Sequence, residues 1–415
     1  MDDGVVIVGT GHGGVQAAAS LREEGYDGPV TLVGDETDLP YHKPPLSKTF
    51  IKDPAAKPQL LRGDTFYDTN RIALRLGSRA ARIDLGGHAL LLDDGSALPF
   101  SRLILATGSR PRALPVPGAT LRGVLPLREI ADARAIREHS TGAQSVVVVG
   151  GGFIGLEIAA TLAAAGRAVT VLEAQGRLLG RAVAPIVSEH VRMRLEAAGV
   201  HVRLQTTLDR LEGDNGKVVA AVTGSGERLA AEMVIVGIGV VPNIELAEAA
   251  GITTANGIRV DAAMRSSVPE VLALGDVASY RHWFTEADVR LESVQNATDQ
   301  ARLAARTVVG HAGSYDAVPW FWSDIGDMKL QMVGLTGGSD RQIVSGDPAE
   351  NRFAVHHYLG DRLIGVESVN RPADHMLGRK MLGAGFSPAP DIAVAGPEAL
   401  KAALAVWQSA EPASR

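Results

Sequence analysis

The stretch VVIVGTGHGG, residues 5–14, decides the predicted fold. Its β-branched run predicts a buried strand, its glycines a tight turn, and the Ala-rich residues that follow a helix. A second β-branched run, residues 30–33, precedes Asp35, which lies about twenty residues beyond the turn. Strand, glycine turn, helix, strand and acid in this order are typical of a domain that binds a dinucleotide by its pyrophosphate.

The same pattern recurs in the middle of the chain. Residues 146–155 read VVVVGGGFIG, an Ala-rich stretch follows, and the next β-branched run ends at Glu173. The glycines of the two copies correspond at one constant displacement: Gly9, Gly11 and Gly14 in the first, and Gly150, Gly152 and Gly155 in the second. Two copies with strand, helix and acid in place predict two dinucleotide-binding domains, whereas one isolated glycine motif would be a weak signal.

We therefore predict an α/β fold with two Rossmann-like domains and a C-terminal α+β domain. Proline and glycine in residues 111–118 indicate a crossing between the first two domains, and residues 241–243 indicate the return. A further buried strand at residues 271–274 would rejoin the first sheet, so the second domain is inserted in the first. The predicted domains are residues 1–113 with 243–319, residues 114–242, and residues 320–415.

Composition narrows the classes of function. The net charge is −6, so the overall basic surface of a nucleic-acid-binding protein is not expected. Cys is 0, which excludes disulfides, thiolate nucleophiles and iron–sulfur clusters bound by the chain, so redox chemistry would need a bound cofactor. We expect no metal site among the 11 histidines. Without a basic leader or an apolar run of about 20 residues, a cytoplasmic protein without membrane attachment is expected.

Several further stretches resemble one known family. They are residues 41–48 (YHKPPLSK), residues 150–157, Gly275-Asp276, residues 292–297 (ESVQNA) and residues 319–324 (PWFWSD). Together they are similar to the putidaredoxin reductase family of FAD-dependent ferredoxin reductases, over nearly the whole chain. The resemblance implies a glutathione-reductase-like architecture, FAD in the first domain and NAD in the second. It also implies an enzyme that passes electrons from NADH through FAD to a [2Fe–2S] ferredoxin, which serves a cytochrome P450 or another oxygenase.

The resemblance also implies the site residues. Those expected to bind FAD are Gly9, Gly11, Gly14, Asp35, Lys48, Ala81, Arg128, Asp276 and Val294. Those expected to bind NAD are Gly150, Gly152, Gly155 and Glu173. Trp320 and Trp322 share a face of an extended strand, and Trp320 is also expected to bind the cofactor. Either one or both tryptophans lie against the flavin or the docking surface, or they lie in a core between domains. Lys48 and Glu157 are expected to meet near the flavin ring as the catalytic pair. The alternative is that Lys48 contacts solvent or a surface acid while Glu157 interacts with its helix dipole.

Two positions depart from the family pattern. Alignment of the two second strands places Gly34, rather than Asp35, opposite Glu173, so Asp35 is either a ribose ligand one residue further on or a solvated turn residue. Ile325 follows Trp322-Ser323-Asp324 at the position where the family pattern has a glutamine. This difference concerns details of the flavin rim or of the partner surface.

Two rival functions share the predicted architecture. A disulfide reductase needs a redox-active cysteine pair, which this sequence lacks. A flavoprotein similar to apoptosis-inducing factor, in which NADH binding mainly switches interactions, stays the alternative. The absence of a targeting presequence and of a basic face argues against it.

Overall fold

The computed structural model describes residues 3–311 and 313–410, and the chain packs into two compact units. The first contains the residues up to Lys43, Lys57–Arg110 and Val240–Ala317; the second contains Pro44–Ala56, Pro111–Gly239 and the described residues from Val318 onward. The segment Pro44–Ala56, which the sequence assigned to the first domain, therefore packs with the second unit. The boundaries of the three predicted domains stay predictions.

The helices and strands follow one another in this order. Up to residue 111 they are β1 (Val5–Val8), α1 (His12–Glu23), β2 (Val30–Val33), α2 (Thr49–Lys52), α3 (Phe66–Thr69), β3 (Ile72–Arg75), β4 (Ala80–Asp84), β5 (Ala89–Leu92), β6 (Ala97–Pro99), β7 (Arg102–Leu105) and β8 (Ser109–Pro111). Next come β9 (Val124–Pro126), α4 (Ile130–Gly142), β10 (Ser145–Val149), α5 (Phe153–Ala164), β11 (Ala168–Leu172), α6 (Pro185–Ala197), β12 (His201–Arg203), β13 (Leu208–Asp214), β14 (Lys217–Thr223), β15 (Arg228–Ala230) and β16 (Met233–Val236).

The remaining elements complete both units. They are β17 (Val240–Pro242), α7 (Glu245–Ala249), β18 (Thr254–Ala255), β19 (Gly257–Arg259), β20 (Val271–Ala273), β21 (Ala278–Arg281), β22 (Asp288–Val289), α8 (Val294–Val308), β23 (Trp320–Ile325), β24 (Met328–Gly334), β25 (Arg341–Asp347), β26 (Arg352–Leu359), β27 (Arg362–Val369), α9 (Pro372–Ala384), α10 (Pro390–Ala395) and α11 (Pro397–Ala410). Short 3-10 turns lie at Pro44–Ser47, Gly275–Val277 and Pro348–Glu350. Within the described residues, no helix has the length and apolar character needed to span a bilayer.

The first unit is built on a parallel sheet of order β20-β7-β1-β2-β3. β1 lies in the middle and all its residues are buried, which explains its continuous β-branched sequence. Apolar side chains of α1 and α8 cover one face of the sheet, and a second apolar cluster covers the other. The chain leaves β1 between β2 and β7, so the first glycine turn lies at the crevice where such sheets bind ligands.

The second unit repeats this plan in a parallel sheet of order β12-β11-β10-β16-β9. β10 takes the central place of β1, and its turn opens between β11 and β16. The predicted fold class, with two Rossmann-like domains and a C-terminal α+β domain, is confirmed by these two sheets and by the one that follows.

The C-terminal part of the second unit is an antiparallel sheet of order β23-β24-β27-β26-β25, followed by helices α9, α10 and α11. The helices pack on one face around Val333, Tyr358 and Leu400. On the other face, the ring centroids of Phe321 and of Phe153 in α5 are 4.8 Å apart. The sheet is thus covered by its own helices on one face and by the central Rossmann fold on the other.

Two buried histidines make the stability of this C-terminal part depend on pH. Burial, reinforced by the positive charge of Arg371, lowers the pKa of His356 to about 4, and burial lowers that of His375 to about 4. In the unfolded chain both return to about 6.5, so the unfolded state binds more protons as the pH falls below this value. The contribution of these two histidines to the free energy of unfolding is therefore fully present above pH ~6.5 and is lost as the pH falls toward ~4. Burial raises the pKa of Asp374, which opposes part of this loss.

We predict that the melting temperature of the wild-type protein falls as the pH is lowered from 7.5 to 4.5. In His356→Leu this decrease should be smaller by several degrees, because one histidine that binds its proton more readily in the unfolded state is removed. Scanning calorimetry over this range measures both. His201→Gln, at an exposed position on β12, is the matched control and should keep the wild-type profile. An unchanged profile in His356→Leu would contradict the prediction.

Candidate active site

The first glycine turn is shaped by close backbone approaches. Gly9 has φ +115°, and a Cβ there would lie 2.1 Å from the carbonyl oxygen of Ala106. A Cβ at Gly14 would lie 1.8 Å from the carbonyl oxygen of Gly9. At Gly11, by contrast, a Cβ would meet no described atom within 4 Å. Two glycines are therefore needed for the turn to pack, whereas Gly11 leaves open space at the start of α1.

The second turn has the same construction. Gly150 has φ +104°, and a Cβ there would lie 2.4 Å from the carbonyl oxygen of Gly237. A Cβ at Gly155 would lie 2.7 Å from the carbonyl oxygen of Gly150, while one at Gly152 would come no nearer than 3.8 Å to a described atom. Neither α1 nor α5 has a side-chain cap, so the open space in each turn lies beside uncapped helix N–H groups. This arrangement fits the pyrophosphate of a dinucleotide in both units.

Glu173 places a carboxylate beside the second turn. Its Oε2 accepts a hydrogen bond from the Gly151 N–H at 2.7 Å, and its Oε1 accepts one from the Gln175 N–H at 2.7 Å. Each oxygen keeps a further lone pair, which fits the hydroxyl groups of a ribose.

The first turn has no such carboxylate, for a steric reason. The Gly34 N–H donates to the Arg75 carbonyl as the Glu173 N–H donates to the Arg203 carbonyl, both at 2.9 Å, so Gly34 occupies the position of Glu173. A Cβ at Gly34 would lie 2.5 Å from Cγ2 of Thr10. Thr10 corresponds to Gly151. In the first copy the larger residue is therefore in the turn and the glycine is at the end of the second strand, whereas in the second copy Gly151 is in the turn and Glu173 is at the end of the strand. The predicted offset of Asp35 is therefore real.

Asp35 is exposed, and its role as a ribose ligand stays a prediction. The next residue, Glu36, is held in place: its carboxylate accepts a hydrogen bond from the hydroxyl of Tyr41 and lies 3.4 Å from Nζ of Lys43. The sequence shows Glu36 as a second acid directly after Asp35, but Glu36 was not among the expected site residues, although its two partners stand in the YHKPPLSK stretch.

Three further predicted FAD residues lie in the first unit. Oδ2 of Asp276 accepts a hydrogen bond from the Ser109 hydroxyl at 3.2 Å. Val294 is the first residue of α8. A Cβ at Gly13 in α1 would lie 2.5 Å from Leu274 and 3.6 Å from Ala297, so the Gly275-Asp276 turn and the start of α8 converge on the start of α1. Ala81 is exposed on β4, in the small antiparallel sheet β4-β5-β6.

Two further predicted residues lie in the second unit. The Arg128 N–H, between β9 and α4, donates to Oδ2 of Asp132 at 2.8 Å. Trp320 and Trp322 share a face of β23, as expected, with ring centroids 5.5 Å apart. The guanidinium of Arg379 lies 4.6 Å from the Trp320 ring centroid, which is 5.6 Å from that of His375 on α9. Trp320 therefore packs on the helix-covered face of the sheet, and its contact with FAD stays a prediction.

The predicted catalytic pair is brought together inside the second unit. Nζ of Lys48 lies 2.8 Å from Oε2 of Glu157, whose side chain is 7% exposed, against 22% for that of Lys48. The segment that carries Lys48 is tied to α5, because the Thr161 hydroxyl donates to the Ser47 carbonyl at 3.1 Å. Arg137 on α4 lies 4.3 Å from the ring centroid of Phe50 in the same segment. The partner of Lys48 is thus a buried carboxylate, which disagrees with the alternative that Lys48 contacts only solvent or a surface acid.

Two residues of this pair's surroundings were missed from the sequence. Ser47 and Ser323 both donate to the carboxylate of Glu157, at 2.5 Å and 2.6 Å. Ser47 directly precedes Lys48, and Ser323 lies in the PWFWSD stretch, so both stood in stretches that the sequence had singled out.

Comparison with known proteins covers nearly the whole chain. Residues 3–301 match the family described as pyridine nucleotide-disulphide oxidoreductase, and residues 320–404 match the family described as reductase C-terminal. Rhodocoxin reductase of Rhodococcus erythropolis is 44% identical over 402 residues, which cover 97% of this chain and 94% of that protein.

Two solved structures are similar at the level of the whole fold. The ferredoxin reductase for the CYP199A2 system from Rhodopseudomonas palustris has a TM-score of 0.94 and 42% identity, with 97% of this chain and 100% of that chain covered. The reductase in a covalent putidaredoxin reductase–putidaredoxin complex has a TM-score of 0.94 and 39% identity, with 99% of each chain covered.

The open glycines give a test of the two dinucleotide sites. Gly11→Ala should fold normally but lose FAD affinity by about tenfold or more, because its methyl group enters the space for the pyrophosphate. Gly152→Ala should keep FAD and lose NADH affinity to a similar degree. The bound FAD per chain and the NADH dissociation constant measure the two effects.

Gly142→Ala is the matched control, since a Cβ there, as at Gly11, meets no described atom within 4 Å. All three variants should melt near the wild-type temperature in the absence of cofactor. Normal binding of both cofactors by the Gly11 and Gly152 variants would reject the two sites.

Proposed function

Since the chain belongs to the pyridine nucleotide-disulphide oxidoreductase family and has its reductase C-terminal domain, we propose that it is an FAD-dependent NADH:ferredoxin oxidoreductase. The membership of the putidaredoxin reductase branch, expected from the sequence, is confirmed by the relatives at 39–44% identity. Electrons pass from NADH through FAD to a [2Fe–2S] ferredoxin, which serves a cytochrome P450 or another oxygenase.

The observation that carries this proposal is the presence of two open glycine turns in a chain without cysteine. The open space at Gly11 and at Gly152 supports one dinucleotide site in each unit. With Cys 0, the chain cannot perform the dithiol chemistry from which the disulphide oxidoreductases take their name. A chain that binds two dinucleotides but has no redox-active cysteine can still transfer electrons from one dinucleotide to the other and then to an external acceptor.

Each site residue then has a defined task. When bound, FAD would supply a hydride acceptor for the nicotinamide and a donor of single electrons, as a [2Fe–2S] acceptor requires. The first glycine turn holds its pyrophosphate at the start of α1, with Asp276 near the start of α8. The second turn and Glu173 hold NADH by its pyrophosphate and ribose. Lys48, paired with Glu157, supplies a fixed positive charge that stabilises negative charge on the reduced flavin ring.

The relatives support the acceptor. Rhodocoxin reductase is named for rhodocoxin, one similar structure is a ferredoxin reductase for the CYP199A2 system, and another was solved as a covalent complex with putidaredoxin. The alternative, an interaction protein similar to apoptosis-inducing factor, is not favoured, because these relatives are electron-transfer reductases. A cytoplasmic location is part of the proposal, and fractionation of the producing cells with an antibody to the chain tests it.

Stopped-flow reduction tests the function as a whole. The purified protein should be yellow with one FAD per chain, be reduced by NADH, and pass electrons to at least one member of a panel of [2Fe–2S] ferredoxins. An FAD-loaded protein that NADH reduces, but that transfers to no ferredoxin faster than to dioxygen, would reject the proposed acceptor and revive the alternative.

The donor should be NADH rather than NADPH. The carboxylate of Glu173 repels a 2′-phosphate, and the guanidinium of Arg177 is occupied by the carbonyls of Gly180 and Val183, the latter at 2.7 Å. We predict a preference for NADH in kcat/KM of at least about tenfold, and a ratio reduced about tenfold in Glu173→Ala. Asp209→Ala, an exposed acid of the same unit, should keep the wild-type ratio. Equal efficiency with both donors would contradict the assignment.

Lys48→Met should keep FAD bound but slow hydride transfer by about tenfold or more and lower the flavin midpoint potential, because a positive charge near the reduced ring is lost. Single-turnover reduction by NADH and a redox titration measure these effects. Lys52→Met is the matched control, since Lys52 is exposed in the same segment and should behave as the wild type. Wild-type kinetics and potential in Lys48→Met would reject the role of Lys48.

A further inference from the structure

The two carboxylate oxygens of Glu157 receive donors from different parts of the chain. Oε2 faces Nζ of Lys48 at 2.8 Å and the Ser47 hydroxyl at 2.5 Å, both in the segment Pro44–Ala56. Oε1 faces the Ser323 hydroxyl at 2.6 Å and the Asp324 N–H at 3.3 Å, both on strand β23. The orientation of this one carboxylate is therefore set jointly by the lysine segment and by the C-terminal sheet.

Strand β23 is held firmly against α5 at this point. Ser323 is completely buried and pairs with Leu330 in the sheet. Two residues before it, the ring of Phe321 packs on that of Phe153, the first residue of α5. Because the hydroxyl is mounted on a paired and packed strand, it has little freedom to follow a rotating carboxylate.

The carboxylate, in contrast, is intrinsically free to turn. The terminal torsion of a glutamate has a broad energy profile, so hydrogen bonds decide its orientation. Charge-assisted bonds from hydroxyl groups are the strong ones, and the Asp324 N–H at 3.3 Å is a weak substitute. Without the Ser323 hydroxyl, Oε1 loses its short bond, and the carboxylate keeps short bonds only to Ser47 and Lys48. Both of these lie in the lysine segment, so the C-terminal sheet no longer fixes the place of the ion pair.

We infer that Ser323 is a positioning residue of the catalytic pair: acting through Glu157, it fixes the place of the Lys48 ammonium and so adjusts hydride transfer and the flavin potential. The inference deepens the proposed function and rests on it. It gives the C-terminal domain a part in the chemistry that is separate from any contact with a ferredoxin.

The first test needs no cofactor. In the apoprotein, the rate at which acetic anhydride acylates Lys48, followed by mass spectrometry, reports how firmly the ammonium is held. Ser323→Ala should raise this rate about threefold or more, and Ser323→Thr, which keeps the hydroxyl, should restore it. Ser345→Ala is the matched control: Ser345 is also buried, on β25 at the opposite edge of the same sheet, and should leave the rate unchanged.

The second test uses the FAD-loaded protein. Ser323→Ala should lower the flavin midpoint potential and slow reduction by NADH about threefold to tenfold, with no change in the NADH dissociation constant. Adding Ser323→Ala to Lys48→Met should change neither quantity further, because the serine acts through the lysine. Ser323→Cys, whose thiol has a similar size but is a weak donor, should show the same lowered potential and slowed reduction as the alanine variant. With two variants, the test still holds if one of them does not fold.

Wild-type Lys48 reactivity and flavin potential in the folded alanine and cysteine variants would overturn the inference. Additive effects in the double variant would overturn it too, since they assign Ser323 a separate structural role. Failure of the proposed function is distinguishable: a wild-type protein inactive with every ferredoxin rejects the acceptor, while Lys48 reactivity and the midpoint potential still test Ser323.

Discussion

The carboxylate of Glu157 is buried in the second unit, where a charge without partners would cost several kcal/mol. Hydrogen-bond donors from the segment Pro44–Ala56 and from strand β23 make this burial possible. The same donors join α5 to two stretches that are distant in the sequence. Removing the carboxylate would leave Lys48 without its buried partner, so one ion pair with its serines supports the packing of this part of the molecule and, in the proposed function, its chemistry.

A second constraint is the close backbone approach in the two glycine turns. Both turns use their first and last glycine for packing and keep the middle one open, which explains why the motif repeats with so little variation. The side chains around the turns are free to differ. In the first copy Thr10 fills the space beside Gly34, and in the second Glu173 fills the space beside Gly151. The two turns thus share their backbone construction and differ where a ribose is expected.

The two faces of the C-terminal sheet contact different parts of the second unit, because successive strand residues point to opposite faces. On one face Phe321 and Ser323 contact α5, and buried Glu367 accepts a hydrogen bond from the Ala184 N–H at 2.8 Å. On the other face Trp320 packs beside His375 of α9. The sheet is therefore joined to α5 by an aromatic contact and by hydrogen bonds, and to its own helices mainly by apolar and aromatic packing.

The sequence by itself determined the two Rossmann-like folds and the positions of their glycines. The pairing of Lys48 with Glu157 was a hypothesis that came from the family resemblance. The folds and the glycine positions were predictable because strand periodicity and glycine spacing are local, and each turn needs its residues at fixed offsets. The offset of Asp35 was also visible in the aligned strands. Its cause was not, since the clash between Thr10 and a side chain at position 34 arises only when the turn folds.

Tertiary structure alone decided the surroundings of Lys48 and Glu157, the predicted catalytic pair. No periodicity in the sequence indicates that Pro44–Ala56 packs with the second unit, or that the hydroxyl of Ser323 lies 2.6 Å from a carboxylate 166 positions earlier. Such contacts depend on how whole elements pack, because a strand presents its residues alternately to two faces and only packing decides what each face meets. For the same reason the two tryptophans were expected on one face, and only the folded chain placed that face against α9.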